Sequence, residues 1–100
     1  MHFDIDATGT ALPLEARAYL EYRLFSRLSL FGADVFAVRV RLRERAAVGQ
    51  RSVIDCRVQV LLRPTGEAVV DTSADWLYGA IDQGAEAAGA AVDQLISTAA

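Results

Sequence analysis

The stretch Asp34-Val35-Phe36-Ala37-Val38-Arg39-Val40-Arg41-Leu42-Arg43 repeats with a period of two. Phe36, Val38, Val40 and Leu42 fall on one side, and Arg39, Arg41 and Arg43 on the other. That is the pattern of a strand with one face in a core and one in water. After a loop over residues 46–50, Ile54, Cys56, Val58, Val60 and Leu62 again place even positions inside, with Arg51, Asp55, Arg57, Gln59 and Arg63 outside. Two neighbouring strands of equal parity and a short loop predict an antiparallel hairpin. Its register can shift only in steps of two without turning apolar side chains to solvent. The expected pairing sets Arg41 opposite Asp55 and Arg39 opposite Arg57.

Working outward, residues 2–7 alternate as well, with Phe3, Ile5 and Ala7 inward and His2, Asp4 and Asp6 outward. Thr8, Gly9 and Thr10 predict a turn, and Pro13 suits a first helical position, where its missing N–H costs nothing. A helix is expected from there to about Leu30. Its inner stripe is Ala16, Leu20, Leu24, Leu28 and Phe31, its outer side Glu15, Tyr22, Ser26 and Ser29, and its stop Gly32. Downstream, residues 64–66 predict a tight turn and 67–72 a fourth strand. Asp75 is the expected N-cap of a second helix reaching about Ser97. Its inner stripe is Leu77, Tyr78, Ile81, Gly84, Ala85, Ala88, Val92, Leu95 and Ile96, while Asp82, Glu86 and Asp93 share one solvent flank. Gly84 predicts a close approach of helix to sheet; nothing in the sequence accounts for Gly79. The order is βαβββα in one domain over residues 1–100, an α+β fold of two layers. The four-stranded sheet is mixed, because a strand–helix–strand unit makes its first pair parallel with a right-handed crossover. Each strand has one apolar face, so both helices cover the same side of the sheet and the other side stays open.

Composition narrows the function. The apolar fraction is 53%, but 18 of those residues are alanine, so the bulky core is modest. No run approaches the roughly 18 apolar residues of a membrane span, and no secretory signal is visible at the start. The lone cysteine, Cys56, fits a reducing compartment, and a cytoplasmic location is expected. Net charge is −3, yet all ten basic residues are arginines between Arg17 and Arg63, a stretch of net +6 against −9 for the flanks together. Such asymmetry predicts a positive patch beside a negative one.

Catalytic chemistry is hard to place. His2, the only histidine, reads as an exposed strand residue and not a metal ligand, and Cys56 falls on a buried strand face. There is no phosphate-cradling glycine loop. No enzyme, metal or cofactor is expected. The row Arg39, Arg41, Arg43, with Arg51 and Arg57 nearby, is the constellation that can bind something, since guanidinium groups recognise phosphate bidentately. Its plainer reading is a solubilising face on an open sheet.

The run Asp75-Trp76-Leu77-Tyr78-Gly79-Ala80-Ile81-Asp82 resembles the D-x-x-Y-x-A-I-D signature of the ribosome hibernation-promoting factor family, also known as the RaiA, protein Y or sigma-54 modulation family. Tyr19-Leu20-Glu21-Tyr22-Arg23-Leu24 is similar to the family's first helix, and residues 31–42 and 56–62 to its second and third strands. The resemblance implies a short, diverged form without the C-terminal dimerisation domain of the long forms. It also implies a stress factor that binds small-subunit ribosomal RNA and inhibits translation, with no catalysis and no cofactor. Carried over by position, Arg23 matches the family's basic first helix and Arg27 follows one turn on. With Arg39, Arg41, Arg43 and Arg57 they form the expected nucleic-acid-binding set. After the signature, however, this chain has Gln83, Glu86, Asp93 and Gln94 where the family is basic. That departure supports the alternative, a protein-interaction module or a homodimer through its open sheet or a strand edge.

Overall fold

The computed structural model describes residues 1–46, 49 and 51–99. Its elements are β1 (His2–Gly9), α1 (Leu14–Leu28), a 3-10 segment (Ser29–Asp34), β2 (Val35–Ala46), β3 (Ser52–Leu62), β4 (Glu67–Ala74) and α2 (Leu77–Ala99). The sheet order is β1-β2-β3-β4, with β1 and β2 parallel and the other neighbours antiparallel. This is the expected α+β arrangement, a mixed four-stranded sheet with two helices.

The core is built as the two periodicities dictate. Leu20, Leu24 and Leu28 of α1 meet Ile81, Ala85 and Val92 of α2 over the even-numbered side chains of β2 and β3, from Val38 and Val40 to Val58 and Val60. Each fully buried leucine or isoleucine contributes about 1.5–3 kcal/mol of transfer free energy. At Gly84 the helix comes so close to the sheet that an added Cβ would lie 2.7 Å from the Cys56 Sγ. Tyr78 is half-buried, its ring 5.1 Å from that of Tyr19.

Several expectations need correction. β1 runs through Thr8 to Gly9, past the expected turn. Pro13 precedes the first helical residue of α1, and the helix ends at Leu28. The chain then tightens into the 3-10 segment, broken at Gly32, whose φ of 34° no branched residue adopts easily. β4 extends two residues beyond Thr72. The Trp76 carbonyl accepts the first α2 hydrogen bond, from the Ala80 N–H, so Asp75 lies one residue before the capping position. Leu95 is 42% exposed and not part of the inner stripe. In the loop after β2, residues 47, 48 and 50 lie outside the described residues.

Two corrections bear on function. The β2–β3 register is displaced by two residues from the expected one: Arg41 faces Arg57, Arg43 faces Asp55 and Arg39 faces Gln59. Parity permits both registers, and patterning alone cannot choose between them. Phe36 leaves the core. The β2–β3 register shifts between Val35 and Ala37, so two residues, Phe36 and Ala37, separate the core-facing Val35 and Val38. A bulge of this kind re-aims a side chain, and Phe36 is 52% exposed on the arginine side of β2.

Candidate nucleic-acid interface

The six arginines singled out by sequence fall into two groups on opposite sides of the molecule. Arg23 and Arg27 stand one helical turn apart on α1, facing α2. Arg39, Arg41, Arg43 and Arg57 stand on the open face of the sheet.

On the helical side the cations are already taken. Arg23 Nε donates to Asp82 Oδ1 at 3.0 Å and Arg23 Nη2 reaches Glu86 Oε1 at 3.5 Å. Arg27 Nε reaches Glu86 Oε2 at 3.4 Å. The Tyr19 hydroxyl donates to the same Asp82 Oδ1 at 2.5 Å, and that bond holds the phenol's pKa above its ordinary value. Two acids one turn apart on α2 thus clasp two arginines one turn apart on α1. The aliphatic stem of Arg27 also lies on α2 at Gly89, where an added Cβ would come within 2.5 Å of its Cγ. Asp82 and Glu86, expected on a solvent flank, are half of an interhelical network.

The sheet side is different. Here charge runs in stripes along the strands: Asp4 and Asp6 on β1; Arg39, Arg41 and Arg43 on β2; Asp55 and Arg57 on β3; Glu67 and Asp71 on β4. Arg57 is held bidentately by Asp71 at 2.8 and 3.2 Å, which raises its pKa further. Asp55 accepts from Arg45 Nε and from the Ser73 hydroxyl, both at 2.6 Å, and these bonds hold its carboxyl below the usual range. Asp6, level with Arg41 in the parallel register, instead accepts from the backbone N–H and hydroxyl of Thr8, at 3.1 and 2.8 Å. Those bonds, the backbone one first, lower its pKa. Among the described residues, Arg39, Arg41 and Arg43 form no ion pair within 4.0 Å.

At the start of β2 the displaced Phe36 carries the Arg63 guanidinium over its ring, 5.3 Å from the centroid. Strict alternation predicts this ring in the core and gives no sign of the bulge that turns it out. Cys56 is buried at 1% exposure, and that burial pushes its thiol up to about 11. Among the described residues no three histidine, cysteine or acidic side chains are placed to hold a metal ion, and no helix is long and apolar enough to cross a membrane.

In class, then, the molecule is a two-layer βαβββα domain with its helical arginines neutralised and a row of unpaired arginines along one strand of an open sheet. No protein-family model matches the chain, and no curated protein does. Among solved structures, the N-terminal domain of Thermus thermophilus Protein Y is similar over 95% of this chain and 99% of that one, with a TM-score of 0.71 and 23% sequence identity. At that identity the likeness is one of fold, and it extends over nearly the whole of both chains.

Proposed function

We propose that this chain is a ribosome-associated factor of the hibernation-promoting type, which binds small-subunit ribosomal RNA in the cytoplasm under stress and inhibits translation. It acts by occupancy and not by catalysis. The single observation that carries the reading is the unpaired row Arg39, Arg41 and Arg43 on the open sheet of a Protein Y-like fold. Unpaired guanidinium groups at strand spacing bind phosphates by displacing condensed counterions, which gives affinity that falls with salt. Arg57 borders the row, already turned toward Asp71. Arg23 and Arg27 contribute only if the α2 carboxylates release them. Co-sedimentation of the purified protein with small ribosomal subunits at low and moderate salt tests the reading: salt-sensitive retention supports it, and no retention at low salt overturns it.

A second reading is a protein-interaction module, as a homodimer or with another partner. It is favoured by Leu14, Tyr22 and Phe25, which are 82%, 65% and 55% exposed on the outer side of α1. On that reading the protein does not enter the ribosomal fraction, and its sedimentation alone shows association.

A further inference from the structure

The stripes on the open sheet say what form of RNA it fits. Three unpaired arginines at alternate positions of β2 form a ridge one strand wide, with roughly 7 Å between successive guanidinium stems. On one side, about 5 Å away, Asp4 and Asp6 line β1; on the other, Glu67 and Asp71 line β4, about 10 Å away. A duplex laid on this face brings a second row of phosphates over one of those acidic strands. A single strand running along β2 does not. At the ridge's end stands Phe36, turned out by the bulge and backed by Arg63. An exposed ring with a guanidinium on its face is a stacking platform for an unpaired base.

Resting on the ribosomal reading above, we infer that the open sheet is a track for single-stranded RNA: phosphates on Arg39, Arg41 and Arg43, and a base stacked on Phe36. The two elements are separable. The arginines supply the salt-dependent part of the affinity, and the ring supplies a part indifferent to salt. The acidic strands on either side supply discrimination against duplex, because they repel whatever strays from the ridge.

The test is fluorescence anisotropy with labelled oligouridylate of about ten nucleotides, compared with an RNA duplex of about ten base pairs, between roughly 50 and 200 mM salt. The single strand is expected to bind at least about tenfold more tightly. Phe36→Ala and Phe36→Leu should each weaken single-strand binding by roughly fivefold or more and leave the salt slope unchanged, while Phe36→Trp retains it. Replacing Arg39, Arg41 and Arg43 together by glutamine should flatten the slope of log affinity against log salt by about 2, at roughly 0.7 per phosphate. Equal or tighter duplex binding, indifference to Phe36→Ala, or no oligonucleotide binding overturns the track. Subunit sedimentation in parallel separates the two claims. Retention on subunits without oligonucleotide binding overturns the track and leaves the ribosomal reading standing. Oligonucleotide binding without retention does the reverse.

Discussion

A methyl group added at Gly84 meets the Cys56 Sγ at 2.7 Å and a Val58 methyl at 3.4 Å, both inside the core. At Gly79 the same addition meets only the indole of Trp76, a residue that is 59% exposed and so has solvent to turn into. The two substitutions therefore differ in sign. Gly84→Ala gains about 1 kcal/mol of helix propensity but overpacks a rigid site at a cost of about 1–3 kcal/mol, for a net loss of up to about 2 kcal/mol. Gly79→Ala keeps most of its propensity gain, so its urea midpoint should match or exceed that of the parent; a large loss would mean that the indole cannot move. Cys56 offers a second check. Its buried thiol should react with a thiol reagent only on unfolding. The unfolded thiol ionises near 9.0 and the folded one near about 11. The unfolded state thus loses its proton first: this contribution is fully present below about pH 9 and is lost as pH rises toward 11. It is worth at most about 2–3 kcal/mol, and a Cys56→Ala variant should show a correspondingly flatter alkaline limb in denaturant titrations.

Among the elements, α1 and α2 share a buried apolar seam and, at its edge, a clasp of charged side chains. Asp82 accepts from both Tyr19 and Arg23, and Glu86 from both Arg23 and Arg27. Asp82→Asn leaves the shapes intact but removes the charge; partial exposure limits the expected loss to about 1 kcal/mol, read as a lower urea midpoint. Lysine at Asp82 or Glu86 sets cation against cation across the helices, so a reversal of charge there is not a neutral surface substitution. The inner stripes and layer order were legible in the sequence because periods of 2 and 3.6 report burial directly. Register was not, because Arg41 opposite Asp55 and Arg41 opposite Arg57 hide the same valines. Nor was the outward turn of Phe36, since a bulge leaves no mark in alternation. The clasp had a visible signal: Arg23 and Arg27 on one helix are spaced like Asp82 and Glu86 on the other. What linear sequence withholds is that those two flanks meet.

For the whole molecule, a net charge of −3 opposes a polyanionic partner, and only the arrangement of charge permits one. The clasp consumes Arg23 and Arg27 and Glu21 takes Arg17, while Asp71 and Asp55 tether Arg57 and Arg45. Among the described residues Arg51 and Arg63 also lack an ion pair, but only Arg39, Arg41 and Arg43 stand in a row along one strand, so the proposed ribosomal affinity rests chiefly on three side chains that play no part in the core. Replacing all three should leave stability within about half a kcal/mol, and that separates loss of binding from loss of fold. The most direct measurement is co-sedimentation of the parent protein and the Arg39→Gln, Arg41→Gln, Arg43→Gln variant with small ribosomal subunits across a salt series. The parent should be retained at low salt and released steeply as salt rises, while the folded variant should be retained weakly with a shallow dependence. Identical, salt-indifferent behaviour of the two proteins would contradict that expectation.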